Sequence, residues 1–352
     1  MSTSVDITPL LTFMFKQGAS DLHLSTGAPP IIRLHGDLKK TNAPPLAADQ
    51  VLAMLQGVMN DAQQRFFEEN LEIDFSIARD FARFRVNAFQ QRRGPAAVFR
   101  IIPNKVLTFE ELGLPAVIAD IAGKDRGLIL VTGPTGSGKS TTLAAVIDYI
   151  NARRNDHIIT IEDPIEFIHD NNNSLINQRE VGGDTHSFSN ALRSALREDP
   201  DVILVGEMRD LETTSLAITA AETGHLVLGT MHTNSAAKTC DRVVDIFPAE
   251  KQEQIRQMFS ESLVGIVAQT LIPTSDGKGR TAAYEILVGI PAIRNLIREQ
   301  KTPQIASVIQ TGSSYGMIAM DQSLKDLVMR GKISQEEAAK RASNPKLFGE
   351  QE

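Results

Sequence analysis

Alternating apolar and polar residues mark three short segments in the first hundred positions: LEIDFSI, FARFRVNAF and AAVFRII. In the second segment Phe84 and Val86 fall on one face and Arg85 falls on the other, with the period of two that is typical of a strand. Arg100 alternates with its apolar neighbours in the third segment in the same way. The pattern therefore predicts an antiparallel sheet with arginines on its polar face.

Helical spacing precedes these strands. Apolar residues recur every three or four positions over residues 5–16 and again over residues 48–69, which predicts two amphipathic helices. Between them, IIRLHGDL at 31–38 predicts a strand that follows glycine and proline turn signals. The two helices and the antiparallel sheet together predict a small α+β domain over residues 1–102.

The pattern changes after residues 103–115, a stretch ending in LGLP that we interpret as a linker. Four continuously apolar runs then alternate with helical segments, namely GLILVTG, HIITIED, DVILVGE and HLVLGTMHT. Such runs are typical of a parallel sheet with helices on both faces. From Pro248 onward the pattern is helical apart from the strand-like RTAAYEIL. We therefore predict an α/β domain over residues 116–352 with a helical C-terminal part.

Length and composition narrow the class of protein. The chain has 352 residues and a net charge of −7, which suits two globular domains and disfavours nucleic acid as a partner, since proteins that coat it carry a basic surface. Its single cysteine, Cys240, excludes an internal disulfide and a multi-thiolate zinc site. No secretion signal is recognisable, and no apolar run reaches the roughly 20 residues that cross a bilayer. We expect a cytoplasmic protein that meets a membrane only through a partner.

The run GPTGSGKST, between the first apolar run and the next helix, fits the phosphate-binding pattern GxxxxGK[ST]. In this pattern backbone N–H groups curl around the phosphates, the lysine reaches the β and γ oxygens, and the next hydroxyl ligates Mg²⁺. We therefore expect ATP as the ligand, with Mg²⁺ bound through Ser140. The residues predicted to contact the nucleotide are Gly133, Pro134, Thr135, Gly136, Ser137, Gly138, Lys139, Ser140 and Thr141.

Two acidic clusters follow apolar runs and are candidates for the hydrolytic machinery. Glu162 ends the run HIITIE, with Asp163 and Glu166 shortly after it. Glu207 follows the run VILV, from which it is separated by Gly206. Ligands bind at the carboxyl ends of strands in a doubly wound sheet, so these acids are expected beside the phosphates. The alternative for each is a carboxylate that caps a helix or pairs with an arginine.

Two histidines, His225 and His232, lie on either side of the apolar run LVLGTM. They do not predict a metal site, because no third ligand is evident. We expect them to sense the γ-phosphate or to link it to a neighbouring subunit. A hydrogen-bonded histidine without a reactive role is the alternative for both.

Five motifs in order support a family resemblance: SDLHL at 20–24, the phosphate loop, IITIEDPIEF, ILVGEMRD and AETGHLVLGTMHT. The chain resembles the secretion and pilus ATPases of the type II and type IV machinery over nearly its whole length, and most closely the type IV pilus retraction ATPases. AIRNLIRE at 292–299 is typical of the retraction members. Assembly and secretion members usually have a tetracysteine zinc element, which one cysteine cannot build.

The resemblance implies a PAS-like N-terminal domain and a RecA-like motor domain in a homohexameric ring with ATP between subunits. In the family the N-terminal domain supplies arginines to the neighbour's nucleotide, and Arg85 and Arg100 match those positions. Glu162 matches the acid that activates water, and Glu207 matches the acid near Mg²⁺. The sequence leaves open whether these two acids exchange roles. The resemblance also makes AIRNLIRE, with its two arginines, a predicted coupling surface.

The implied function is a motor that hydrolyses ATP and withdraws pilin subunits into the inner membrane. Its force would pass through a platform protein in that membrane, so that the ring lies at the inner-membrane base of the pilus. An accessory retraction paralogue and a pilus assembly or type II secretion ATPase are alternatives within the enzyme class. A nucleotide-binding switch or scaffold is the alternative outside it.

Overall fold

The structure, a computed structural model, describes residues 6–34, 36–102, 105–277 and 279–349. These residues divide between two compact units, with the boundary between Lys105 and Val106. The fold is mixed α/β, which confirms the predicted class, and each unit is built on one sheet. No helix in the described ranges is both long and apolar enough to span a bilayer.

The described part of the first unit consists of a six-stranded antiparallel sheet and three helices. The strands are β1 (Asp21–Ser25), β2 (Ile31–Leu34), β3 (Asp37–Lys40), β4 (Glu72–Arg79), β5 (Ala82–Gln91) and β6 (Gly94–Ile102). The helices are α1 (Thr8–Lys16), α2 (Ala48–Gln56) and α3 (Asp61–Asn70). Across the sheet the strands lie in the order β3-β2-β1-β6-β5-β4.

The alternation predicted for the second segment is confirmed in β5. Phe84 and Val86 are fully buried, whereas the Arg85 side chain on the opposite face is 41% exposed. The buried face packs in one apolar core with Leu11 of α1 and Leu55 of α2. One face of this sheet is therefore core, and the other offers charged side chains.

The long helix predicted over residues 48–69 is two helices, so that prediction is wrong. α2 ends at Gln56 and α3 begins at Asp61. The Asn60 side chain accepts a hydrogen bond from the Gln63 N–H at 2.9 Å, and the Gln63 side chain accepts one from the Asn60 N–H at 2.9 Å. This reciprocal capping box starts a new helix within an otherwise continuous apolar stripe.

The strand predicted over residues 31–38 is also two elements. β2 and β3 pair antiparallel, with Leu34 opposite Asp37, and residue 35 between them lies outside the described residues. Gly36 has φ +93°, a left-handed conformation that glycine adopts without a steric penalty. The chain therefore reverses direction where the apolar pattern suggested continuity.

The second unit contains a seven-stranded sheet in its described residues. The strands are β7 (Gly127–Thr132), β8 (His157–Glu162), β9 (Leu175–Glu180), β10 (Val202–Val205), β11 (Leu226–Met231), β12 (Leu263–Pro273) and β13 (Arg280–Val288). They lie in the order β13-β12-β7-β11-β10-β8-β9. All neighbours are parallel except β12 and β13.

Helices flank this sheet. They are α4 (Phe109–Leu112), α5 (Ala116–Ala122), α6 (Lys139–Asn151), α7 (Phe188–Ala195), α8 (Leu211–Glu222), α9 (Ala236–Asp245), α10 (Ala249–Ser262), α11 (Pro291–Arg298), α12 (Ile305–Thr311), α13 (Met320–Met329) and α14 (Gln335–Ala339). Short 3₁₀ segments lie at Thr302–Gln304, Ser313–Tyr315 and Pro345–Phe348. β7, β10 and β11 are buried along their whole length, as expected for a sheet covered on both faces. α4 lies inside the predicted linker 103–115.

The C-terminal part is less helical than predicted, because it contains the strand β12. α10 ends at Ser262 and β12 begins at Leu263, so no turn residue separates helix from strand. The apolar pattern therefore gave no boundary there. β12 pairs parallel with β7, with Ala268 opposite Thr132. It lies beside the strand that leads into the phosphate loop.

AIRNLIRE forms most of α11. Ile293 and Ile297 are buried, while Arg298 is exposed. The Arg294 guanidinium donates a hydrogen bond through Nε to the Gly289 carbonyl oxygen at 2.9 Å. Of the two arginines expected on a coupling surface, Arg294 is thus engaged within its own unit.

Candidate active site

The phosphate loop joins β7 to α6 through a tightly packed turn. A Cβ at Gly133 would clash with the Gln269 carbonyl oxygen and the Ser137 hydroxyl, so only glycine fits there. Gly138 has φ +87° and is the N-cap of α6, which begins at Lys139. The first N–H groups of a helix are unpaired donors that favour anions. The sequence thus builds an anion-binding turn where the pattern predicted one.

Lys139 lies over the loop that precedes it. Its Nζ donates hydrogen bonds to the carbonyl oxygens of Gly133 at 2.9 Å and Pro134 at 3.1 Å. Burial lowers the pKa of Lys139, and the negative charges of Glu207 and Glu166 oppose that shift. The two acids whose charges act on this ammonium group therefore lie on its side of the sheet.

The remaining loop residues divide into an exposed tip and the start of α6. Pro134, Thr135 and Gly136 are exposed, whereas Ser140 and Thr141 are half-buried in the first helical turn. The Ser137 hydroxyl is buried and has no hydrogen-bond partner among the described residues. The loop thus has an exposed tip and one buried hydroxyl group.

Neighbouring strands bring the other predicted groups to the same edge. β7, β11, β10 and β8 are adjacent and parallel, so the chain leaves each of them at one edge of the sheet. Glu162 ends β8, Glu207 follows β10 by two residues, and His232 follows β11 directly. The edge predicted to gather these residues does gather them.

Glu207 contacts a histidine and an arginine at this edge. Its Oε1 lies 2.7 Å from Nε2 of His232, and it also forms an ion pair with Arg209. The Glu207 side chain is 19% exposed, whereas that of Arg209 is 75% exposed. Sequence reasoning missed Arg209, although it stands two positions after the acid in ILVGEMRD. Glu207 is thus a partly buried carboxylate between two cationic or hydrogen-bonding groups.

Close packing around Gly206 explains why a glycine stands between β10 and Glu207. A Cβ there would lie 3.0 Å from the Ile161 carbonyl oxygen and 3.3 Å from Cα of Glu162. The Thr230 hydroxyl donates to the Gly206 carbonyl, and the Met208 N–H donates to the Thr230 carbonyl at 3.0 Å. The segment that bears Glu207 is therefore packed against β8 on one side and hydrogen-bonded to β11 on the other.

Glu162, the last residue of β8, is held by hydrogen bonds from two neighbouring side chains. Its Oε1 accepts hydrogen bonds from the Thr160 hydroxyl at 2.7 Å and from Nε2 of Gln178 at 3.3 Å. Burial raises the pKa of Glu162, and these hydrogen bonds act in the opposite direction. Glu166, four positions further along, is with Glu207 one of the two acids whose charges act on Lys139.

The structure does not bring His225 together with these residues. It precedes β11, whose first residue Leu226 pairs with Gly127 at the start of β7. A strand advances about 3.3 Å per residue, so six strand residues place His225 roughly 20 Å from the loop edge. Its Nδ1 lies 3.0 Å from the Ala220 carbonyl oxygen.

In the first unit, the two predicted arginines are direct cross-strand neighbours. Arg85 of β5 lies opposite Arg100 of β6, and both side chains are exposed, by 41% and 67%. Arg85 forms an ion pair with Asp74, and Nε of Arg100 lies 2.7 Å from Asp21. Two like charges placed side by side repel, and the aspartates offset that repulsion.

Asp21 sits between two arginines in this register. It lies opposite Arg100 on one side and opposite Arg33 on the other, and its side chain is 3% exposed. Burial acts to raise the pKa of Asp21, but hydrogen bonds from Ser20 and Arg100 outweigh it and lower that pKa. A row of charged residues therefore crosses the sheet in the order Arg33, Asp21, Arg100 and Arg85.

Comparisons with known proteins cover almost the whole chain. The sequence model of the family described as Type II/IV secretion system protein matches residues 3–346. The chain is 61% identical over 345 residues to the type IV pilus retraction ATPase PilT of Pseudomonas aeruginosa, covering 98% of this chain and 100% of that protein. It is 42% identical to the type IV pilus ATPase PilU of the same organism, covering 97% of this chain and 89% of that one.

A solved structure gives the same result. The crystal structure of the pilus retraction motor PilT with bound ADP superimposes with a TM-score of 0.91 at 48% identity. The match covers 97% of this chain and 98% of that chain. The similarity to PilT is thus full-length, and its 61% identity exceeds the 42% found for PilU.

Proposed function

This chain belongs to the Type II/IV secretion system protein family and is an ATP hydrolase that powers type IV pilus retraction, and we propose from that premise that it works as a homohexameric ring. The ring lies in the cytoplasm at the inner membrane. It withdraws pilin subunits by passing force to a platform protein of that membrane. The main structural support for ATP hydrolysis is the sheet edge that carries Lys139, Glu207 and His232.

The loop at 133–141 is the proposed binding site for the phosphates of ATP. Three observations support this assignment: the glycine-only turn at Gly133, the helix N-terminus at Lys139, and the buried, unpartnered hydroxyl of Ser137. Backbone N–H groups of the turn and of the first turn of α6 bind the phosphate oxygens. Lys139, already on the inner side of the loop, binds the β and γ phosphates.

Ser140 and Glu207 are the residues that would hold Mg²⁺. When bound with the nucleotide, Mg²⁺ neutralises charge on the β and γ phosphates. Ser140 directly follows Lys139, and the charge of Glu207 acts on that lysine. One hydroxyl and one carboxylate suit this ion, because Mg²⁺ at phosphate sites usually takes one or two protein ligands and completes its shell with phosphates and water.

Glu162 is the acid that we assign to the attacking water. A general base is judged by geometry first and by pKa second. Glu162 ends β8 at the edge of the sheet that carries the phosphate loop. Hydrogen bonds from Thr160 and Gln178 hold its carboxylate there. Burial raises the pKa of this carboxyl, which suits a group that accepts a proton. His232, hydrogen-bonded to Glu207, links that acid to the end of β11.

Arg85 and Arg100 are proposed to complete the site of the neighbouring subunit. They stand side by side on one face of the sheet, and both side chains are exposed. Two adjacent guanidinium groups suit the anionic phosphates, and a guanidinium supplied in trans stabilises the charge of the transition state. Each site would then need two chains, which favours a closed ring.

Phosphate release by the purified full-length protein tests the proposal. Lys139→Ala should lose nearly all steady-state turnover, whereas Lys325→Ala, a lysine of α13 outside the site, should match wild type. In a deletion strain, Lys139→Ala should leave pili abundant and twitching absent. Equal, negligible rates for wild type and Lys139→Ala would reduce the protein to a nucleotide-binding switch. Cells without pili would indicate an assembly motor instead.

A further inference from the structure

A buried glutamine on β12 contacts the phosphate loop from the side of the sheet. Gln269 is 3% exposed and follows Ala268, which pairs with Thr132 at the end of β7. It therefore stands beside Gly133, and its carbonyl oxygen occupies the space that a Cβ at Gly133 would need. Glutamine is seldom buried to this degree, and a buried amide must find hydrogen-bond partners.

Both ends of the Gln269 amide are bonded, and both partners belong to the nucleotide-binding element. Nε2 donates to the Ser137 carbonyl oxygen at 2.7 Å. Oε1 accepts from the Thr142 hydroxyl at 2.9 Å, and Thr142 is itself buried on α6. A carbonyl oxygen only accepts, so the NH₂ end must face Ser137, and the orientation of the amide is determined.

The bond to the Ser137 carbonyl sets the direction of the next N–H. A peptide unit is planar and trans, so its C=O and N–H point in opposite directions. Since the Ser137 C=O points at Gln269, the Gly138 N–H points away from β12. Gly138 is the N-cap of α6, and its N–H is among the donors that a phosphate loop offers to its ligand.

We propose that Gln269 is a positioning residue for nucleotide binding and hydrolysis. Its amide, anchored by Thr142, orients the peptide between Ser137 and Gly138 so that the loop presents its N–H groups before the nucleotide arrives. The inference rests on the proposed role of loop 133–141 as the nucleotide site. Preoriented donors stabilise phosphate charge without rearrangement, whereas a loop that must first become ordered binds more weakly.

A comparison of Gln269→Met with Asn151→Leu tests the proposal. Methionine keeps the length of glutamine but forms no comparable hydrogen bonds. Asn151 is also 3% exposed, and its amide donates to the Asp170 carbonyl oxygen at 2.8 Å, at the opposite end of α6 from the loop. Its replacement removes a buried amide without touching the loop. Thermal unfolding, the Kd for ADP by calorimetry, and KM and kcat for ATP are measured on the full-length protein.

Both variants should lower Tm, and only one should change nucleotide binding. We expect Gln269→Met to weaken ADP binding about tenfold and to lower kcat/KM by roughly 10- to 100-fold, since small misplacements of binding groups have effects of that size. Asn151→Leu should keep both values within about twofold. Wild-type ADP affinity and kcat/KM in Gln269→Met, or equal losses in both variants, would overturn the proposal.

Thr142→Val tests the amide without changing Gln269, and it covers the case in which Gln269→Met does not fold. Valine keeps the shape of threonine but leaves Oε1 without its donor. We expect a smaller loss of ADP affinity, about threefold. The double variant should bind ADP no more weakly than Gln269→Met alone, because residues in one hydrogen-bond network are not additive. Additive losses would contradict the shared network.

Lys139→Ala, measured in parallel, distinguishes a failure of the proposed nucleotide site from a failure of the proposed role of Gln269. If Lys139→Ala keeps its turnover, the loop is not the nucleotide site and the proposed function fails. If Lys139→Ala loses turnover while Gln269→Met and Thr142→Val behave as wild type, only the role of Gln269 fails.

Discussion

The two sheets of this protein present polar groups in different ways. In the second unit the candidate site lies at strand ends, where adjacent parallel strands release the chain into loops at one edge. In the first unit the charges lie on the face of an antiparallel sheet, where Arg85 stands opposite Arg100. The first arrangement places polar groups on loops that the backbone positions. The second places them on side chains that alternate along the strands.

The difference lies in what holds each group. At the strand ends, the backbone fastens the loops: the Gly206 N–H donates to the Ile161 carbonyl at 2.8 Å, close to the acid that follows. On the face, ion pairs between side chains hold the arginines: Arg85 pairs with the exposed Asp74, and Arg100 pairs with the buried Asp21. The strand-end groups are therefore held by backbone hydrogen bonds, and the face arginines by side-chain ion pairs.

The largest expected effect tests whether both regions form one site from two chains. Lys139→Ala should be inactive, and Arg100→Ala should lose phosphate release by roughly a thousandfold, the contribution typical of an arginine finger. If the arginine acts in trans, an equal mixture of the two variants regains activity. About one interface in four would then have both residues intact, so recovery should approach a quarter of the wild-type rate.

The control for this mixture is Arg79→Ala, an arginine at the end of β4. Alone, Arg79→Ala should release phosphate at the wild-type rate. Its mixture with Lys139→Ala measures how far inactive subunits lower the rate of rings that also contain active subunits. A Lys139→Ala and Arg100→Ala mixture that stays inactive would exclude a trans role for Arg100.

The second expected effect assigns the acids at the strand ends. Glu162→Gln should lower kcat by roughly 10²- to 10⁴-fold with unchanged ADP affinity, the range for loss of a general base. Glu207→Gln should instead raise the Mg²⁺ concentration needed for half-maximal phosphate release. Titrations of Mg²⁺ with each variant measure both quantities. A larger loss of kcat in Glu166→Gln than in Glu162→Gln would move the base to Glu166.

The smallest effect is on stability, and it concerns Glu162. Burial raises the pKa of this carboxyl, so folding favours its protonated form. That stabilisation is fully present below the unfolded pKa and is lost as pH rises through the folded pKa. Glu162→Gln, neutral at every pH, should therefore raise Tm at pH 7.5, and the gain should vanish toward about pH 4.

Calorimetric scans across pH measure this effect, with Glu222→Gln as the control because Glu222 is exposed at the end of α8. The control should leave Tm unchanged. A lower Tm for Glu162→Gln at neutral pH would mean that the charged carboxylate stabilises the fold.

Local pattern made part of this architecture predictable. The phosphate loop is nine consecutive residues between a strand and a helix, so its pattern contains its own context. The period of two placed Arg85 on the polar face. That Arg85 lies directly opposite Arg100 depends on the hairpin register, with Gln91 opposite Gly94, which alternation does not specify.

Long-range contacts and strand direction account for what the pattern missed. Gln269 and Ser137 are 132 positions apart, and only the pairing of β12 with β7 brings them together. β12 itself was missed because it follows α10 without a turn. His225 and His232 are close in sequence, but the strand between them separates them to opposite edges. Glu166 lies within IITIEDPIEF and Arg209 within ILVGEMRD, but the spacing of residues alone did not indicate which side chains their charges would act on.

β12 also connects two places that are distant along the sheet. At Gln269 it contacts the phosphate loop, and at Leu263, its first residue, the carbonyl oxygen accepts a hydrogen bond from Arg294 of α11 at 3.4 Å. A paired strand hardly stretches, and six residues span about 20 Å. One continuous strand, with an irregular register between Leu263 and Gly265, therefore contacts both the nucleotide loop and AIRNLIRE.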